Sequence, residues 1–225
     1  MGVKPQELAS LYPRLYHMAE PDSWDSISKH GLLSTSTLLT LFEINDATRH
    51  EIEGRRRAES REIRHPTLGR AVIRDQKPII ESKLRESLQD CTIEEWYRLL
   101  NSRVFFWLTI ERLATLLSAR EYRNKSHTIL TLETLPLVMD YEASITLSPM
   151  NSGNTLPIAH PRGLKTFSRI KDYPFEERLG RGPYYTVVEL AVEGGVKNVV
   201  QYTTRVEVMT SDGKGIQAIK TLYTR

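Results

Sequence analysis

Apolar residues along this chain change their period near residue 126. Before it they recur every three or four positions, as on one face of a helix. Trp24, Ile27 and the Leu32-Leu33 pair follow Pro21-Asp22-Ser23, a helix-start signal with Asp22 or Ser23 as N-cap, and Gly31 is a natural stop. Ser34-Thr35-Ser36 can cap a second helix carrying Leu38, Leu39, Leu41 and Phe42. Thr92 with Glu95 three residues on is a capping box, and Trp96, Leu99 and Leu100 supply that helix's buried side. Ile110, Leu113, Leu116 and Leu117 have helical spacing. Residues 1–12 read as a short helix or an arm, and the charge-dense stretch 46–64 as an exposed helix or a mobile excursion. Two strand-like pieces interrupt this half, at 15–18 and 103–108.

After residue 126 the pattern turns to alternation. Strands are predicted at 127–133, 143–148, 184–192, 203–210 and 215–223, the last two joined by a hairpin turn at Ser211-Asp212-Gly213-Lys214. Residues 149–183 read as a long loop region, and long irregular segments in a domain are often functional. Helices mainly from the N-terminal half and strands from the second predict an α+β fold.

Composition narrows this reading. A chain of 225 residues suits a single domain, 1–225, large enough to bury a core. With 40% hydrophobic and 26% charged residues it has ordinary globular composition. There is no apolar run of about 18 residues to span a membrane and no apolar signal core at the start. Cys91 is the only cysteine, which excludes an internal disulfide and a cysteine-rich metal site and fits a reducing, cytoplasmic setting. The six histidines show no metal-ligand spacing, so no metal is expected. A net charge of +3 permits a nucleic-acid partner without demanding one.

Motifs for a nucleophile elbow, a Walker A loop, a zincin helix and a dinucleotide fingerprint are all missing from the sequence. Three places remain. His17 ends a short strand, either as a half-buried histidine bonded to backbone or as a ligand-binding group. Alternation puts Val187, Glu189 and Ala191 on one face of a strand, where a carboxylate either faces water at an edge or faces a cleft. Arg74-Asp75-Gln76 between apolar flanks is either a surface turn with an ion pair or a way to aim a guanidinium at a diphosphate.

The order of these segments resembles the ADP-ribosyltransferase superfamily, in particular DarT-type nucleic-acid ADP-ribosyltransferases and a related bacterial family of unknown function. The resemblance rests on the histidine of Leu15-Tyr16-His17-Met18, the helix closing in Gly31-Leu32-Leu33, the aromatic strand Val104-Phe105-Phe106-Trp107, and Val188-Glu189-Leu190-Ala191-Val192 followed by Gly195-Val196. AVIRDQKP and LSPMNSGNT carry the likeness to the second family. One departure is that the P-R-S-P stretch after the aromatic strand has no counterpart, since Leu108-Thr109-Ile110-Glu111 stands there.

The resemblance implies a split β-sandwich that binds NAD, as substrate, between two small sheets. It implies that His17 contacts the adenosine-side ribose, and that Glu189 bonds the nicotinamide ribose and stabilises the cation formed when nicotinamide leaves. Phe106 or Tyr122 would stack on nicotinamide, although core packing is the simpler role for at least two of Phe105, Phe106 and Trp107. Arg74 would position the diphosphate, with Arg103 and Arg112 as the next candidates. The loop before the Glu189 strand would recognise the target through Arg169, Lys171, Arg178 and Arg181, interleaved with aromatics that suit DNA or RNA. The expected protein is a cytoplasmic mono-ADP-ribosyltransferase modifying nucleic acid, a toxin or phage-defence factor with an antitoxin partner. A catalytically inactive binding module on the same fold is the alternative, and an NAD-dependent RNA 2′-phosphotransferase a third.

Overall fold

The computed structural model describes residues 2–225 as a central antiparallel sheet with helices on both faces. Its chain order is α1 (Pro5–Leu11), β1 (Arg14–Ala19), α2 (Trp24–His30), β2 (Leu32–Leu33), α3 (Thr35–Leu41), α4 (Asp46–Gly54), β3 (Arg61–His65) and β4 (Gly69–Ile73). Next come α5 (Glu81–Ser87), α6 (Ile93–Asn101), β5 (Arg103–Trp107), α7 (Ile110–Ser118), β6 (His127–Glu133), α8 (Thr134–Tyr141) and β7 (Ile145–Ser148). The chain closes with β8 (Ser168–Arg169), α9 (Phe175–Leu179), α10 (Pro183–Thr186), β9 (Glu189–Glu193), β10 (Gly195–Val196), α11 (Val199–Tyr202), β11 (Thr203–Ser211) and β12 (Ile216–Thr224). Among the described residues no helix is long and apolar enough to cross a membrane.

Several elements follow from local chemistry. The Thr92–Glu95 capping box opens α6, with the Thr92 side chain accepting from the Glu95 amide. Ser34 caps α3 in the same way through the Thr37 amide, and Asn45 caps α4 through Thr48. Ser23 is the N-cap of α2, but its side chain makes no capping bond. The predicted strand 184–192 is shorter than expected: Gly182 and Pro183 start a helical turn over 183–186, and β9 begins at Glu189. The residues 143–144 likewise belong to a 3-10 turn.

The eight strands lie in the order β12-β11-β6-β1-β5-β9-β7-β8, and every neighbouring pair is antiparallel. The centre of this sheet is its weak seam. β1 pairs with β6 along its whole length, Arg14–Ala19 against Glu133–Thr128, yet meets β5 at the single register pair Tyr16↔Trp107. Beyond that pair the two strands diverge.

The packing on each face reflects the seam. One face is a continuous core that includes Leu15, Phe106, Leu130, Leu190 and Val206. The other carries two separate clusters. Trp96, Tyr97, Phe167 and Ala191 cover the β5–β9 half, and Met18, Leu113, Leu117, Ile129 and Met209 lie under α7 on the β6–β11 half. A fourth cluster, with Leu39, Phe42, Ile52, Ile63 and Ile73, holds the β3–β4 hairpin to α3 and α4.

Candidate functional site

A cavity of about 680 Å³ occupies the seam. Its walls come from the diverging ends of β1 and β5, from α2 and α3, from the strap 70–79 after the β3–β4 hairpin, from α7, and from residues 151–154 and 189. The size lies within the range of small-molecule sites. His17, Arg74, Tyr122 and Glu189 all line it.

Glu189 is 4% exposed and forms no ion pair among the described residues. The Ser152 amide donates to its Oε2 at 3.0 Å. Burial pushes its carboxyl up to about 7, while Ser152 and the charges of Arg112 and Arg162 pull it back. Its cross-strand neighbours are Trp107 on β5 and Ser148 on β7.

His17 spans the seam. Its Nδ1 lies 2.9 Å from the Phe105 carbonyl, where the backbone ladder has lapsed. A carbonyl only accepts, so Nδ1 carries the proton and Nε2 is left as an acceptor. Burial pushes the ring's pKa down to about 4, with the Arg74 charge acting in the same direction against the Phe105 bond, so the imidazole is neutral at pH 7. His17 is thus bonded to backbone, as one reading of the sequence has it, and it also lines the cavity.

Arg74 is already engaged. Its Nε donates to Glu20 Oε1 at 3.2 Å, its Nη1 donates to the Met18 carbonyl at 3.1 Å, and its guanidinium stands 5.0 Å from the Tyr122 ring centre. Tyr122 donates to Asp75 Oδ1 at 3.0 Å and Ser60 to Glu20 at 3.1 Å, so the strap is tied across the cavity by polar contacts. Buried Arg57 braces the strap by donating to the Arg74 and Ile52 carbonyls.

Phe106 is not a wall residue. It is 1% exposed in the continuous core, because Val104, Phe106 and Leu108 share the face opposite Glu189. Phe105 and Trp107 are the aromatics of that strand that reach the cavity, Trp107 beside Glu189. Arg112 also lines it, donating to the Tyr184 carbonyl with its guanidinium 3.9 Å from the Tyr184 ring centre. Its place just inside the α7 N-terminus, behind the Thr109 cap, was the available sequence signal.

The four cations expected to grip a target are not gathered at the cavity. Arg169 pairs with Glu193 at 2.8 Å and donates to the Ala143 carbonyl, so its charge is used within the fold. Arg178 donates to the Thr186, Tyr185 and Pro149 carbonyls. Lys171 and Arg181 are exposed and lie outside the cavity wall. Arg120, which the sequence did not mark, does line it.

The two Gly-hydrophobic segments singled out in the sequence pair with each other, Gly195↔Leu33 and Val196↔Leu32, and fix one cavity wall. This is an α+β protein with a large cavity at a divergent strand pair. Residues 13–203 match a family of unknown function (DUF7002), and the chain belongs to that family. No curated protein and no solved structure matches the chain.

Proposed function

We propose that the chain is an NAD-dependent mono-ADP-ribosyltransferase with a nucleic-acid acceptor. The observation that carries this reading is the meeting of His17, Arg74 and Glu189 in one cavity, although 172 positions separate the first from the last. The donor set fits NAD chemically. Neutral His17 Nε2 would accept from a ribose hydroxyl, and a diphosphate would take the N–H donors of Arg74 and Arg112 that are not spent on Glu20, Met18 and Tyr184. Trp107, in place of Phe106, offers a π face to the cationic nicotinamide ring beside Glu189.

In the reaction the bond from the ribose carbon to the nicotinamide nitrogen breaks, and its electron pair leaves with nicotinamide. Ionised Glu189 stabilises the positive charge that develops on the ribose, an interaction stronger in the transition state than in the ground state. An acceptor oxygen or nitrogen then bonds to the same carbon. Its proton passes to the Glu189 carboxylate and on to water. A carboxyl titrating near 7 is suited to both holding and returning a proton at neutral pH.

The test is incubation with NAD labelled in its adenylate half, in separate pools of DNA, RNA and protein. Label should pass to a nucleic-acid pool, and Glu189→Gln should slow transfer by about 10²–10³-fold while the melting curve stays cooperative. A chain that binds NAD without cleaving it would be a binding module on this fold. One that neither binds nor cleaves it in any pool would overturn the proposal.

A further inference from the structure

We propose that Arg162, which lies outside the cavity wall, is a positioning residue that holds Glu189 in orientation and in its ionised form through the backbone of residues 149–162. The titration part of this proposal stands alone, and the kinetic part rests on the transferase reading.

Residues 149–162 contain no helix and no named strand, and side-chain bonds join a few backbone contacts, such as the Thr155 amide on the Pro78 carbonyl, in fixing their shape. Arg162 supplies the centre of those bonds. It is 2% exposed. Its Nη1 donates to the Ser152 carbonyl at 3.1 Å and the Asn154 carbonyl at 2.9 Å, and its Nε to the His160 carbonyl at 3.0 Å. Its own backbone is anchored beside α5, with its amide donating to Ser87 and its carbonyl accepting from Gln89.

Ser152 is therefore held from both ends. Its carbonyl is gripped by Arg162, and its amide donates to Glu189 Oε2 at 3.0 Å. The guanidinium also places one of the two positive charges that act on this carboxyl. The charges that act on Glu189 are those of Arg112 from α7 and Arg162 from the loop, while the flanking strands offer uncharged Trp107 and Ser148. Arg112 stands on the cavity wall, where a ligand can engage it, whereas Arg162 is shut behind the loop. Arg162 is thus the countercharge that ligand binding leaves in place. A lysine could keep the charge but not the planar fork that reaches three carbonyls.

The test reads Glu189 directly, by carbon NMR of its carboxyl against pH in the NAD-free protein. In Arg162→Lys the midpoint should rise by about one pH unit, leaving roughly fivefold less carboxylate at pH 7. If wild type transfers ADP-ribose, kcat at pH 7 should fall about fivefold with KM little changed, and the loss should be recovered at higher pH. An unchanged midpoint in folded Arg162→Lys overturns the proposal. Should that variant fail to fold, wild type decides: the Arg162 Nε–H resonance must shift with the same midpoint as the Glu189 carboxyl, and a resonance indifferent to that titration overturns it. A wild type inert toward NAD would refute the transferase reading and leave this titration to be judged by itself.

Discussion

Two ionisable side chains in the cavity are pushed in opposite directions, and each leaves a signature in stability. Glu189 is raised from the ordinary carboxylate range to about 7, so between about pH 4.5 and 7 the folded protein binds a proton that the unfolded chain has lost. Its contribution is full below about 4.5 and declines as pH climbs toward 7. His17, lowered to about 4, works the other way: the unfolded chain binds the extra proton between about 4 and 6.5, so stability rises with pH there. Removing one group isolates the other. Glu189→Gln should gain stability relative to wild type as pH rises from 5 to 8, by an amount on the order of 3 kcal/mol at most. The Gln side chain can still accept from the Ser152 amide, and any cost of its extra N–H donors is independent of pH. Urea unfolding of both proteins at several pH values measures the gap, and a gap that stays constant would show that the carboxyl is not raised. Candidate residues at this scale were legible as types but not as directions. β5 is apolar on both faces, so alternation could say that Phe105 and Trp107 differ from Phe106 but not which side faced the cavity. Arg74 and Glu20 are 54 positions apart, and nothing in either segment announces their ion pair.

At the scale of elements, the cavity exists because β1 and β5 part after one register pair and because β2 and β10 close its side. The second of these depends on two glycines. Gly195 has φ +104°, and a Cβ there would collide with the Leu32 carbonyl oxygen; Gly31 has φ +91° with the Lys197 carbonyl 2.6 Å from such an atom. Backbone meets backbone at both places, so no side chain can turn aside. Gly195→Ala should therefore cost at least about 2 kcal/mol and lower Tm by roughly 4–8 °C. It should also weaken ligand binding, since Leu32 and Leu33 are cavity wall. An unaltered Tm would mean that the β2–β10 pairing is not tight. Elements with caps were readable in advance, as α6 and α3 show, and so was the β11–β12 hairpin with its Ser211–Lys214 turn. Elements shaped by tertiary packing were not. α8 holds Leu137 and Val138 in the core directly after β6, in a stretch to which the sequence pattern assigns no element, and the β-prone Tyr184-Tyr185 are coiled into a helical turn behind Gly182.

On the whole molecule, charge is distributed differently from what the linear sequence implies, and that relocates the surface a nucleic acid would use. Segment 162–183 is rich in cations, but Arg162 is buried on carbonyls, Arg169 is paired and Arg178 is spent on backbone. A second cationic lip forms only in three dimensions. The Asn124 amide donates to the Ser211 carbonyl at 2.8 Å, and the Arg123 side chain lies against Gly213, bringing residues 119–126 beside the 211–214 turn. Arg120, Arg123, Lys125 and Lys214 are exposed there, and Arg120 continues into the cavity wall. The acidic residues of the lip offset this only in part: Glu121 is exposed, and the Asp212 carboxylate accepts from the Lys214 and Gly215 amides. A phosphate backbone lying on this lip would lead one of its nucleotides toward Glu189. Arg120→Glu combined with Arg123→Glu should then weaken binding of a labelled single-stranded oligonucleotide, and the salt dependence should flatten by about one unit of slope for each phosphate no longer neutralised. Both side chains are exposed, so Tm should move little. The matched control replaces Lys165, Lys171 and Arg181, the exposed cations of the other segment. Loss of affinity confined to that control would return the docking surface to the loop before β9. Equal affinity and equal salt slope in wild type and both variants would remove nucleic acid as the partner of either surface, while NAD cleavage, measured separately, would still decide the transferase reading.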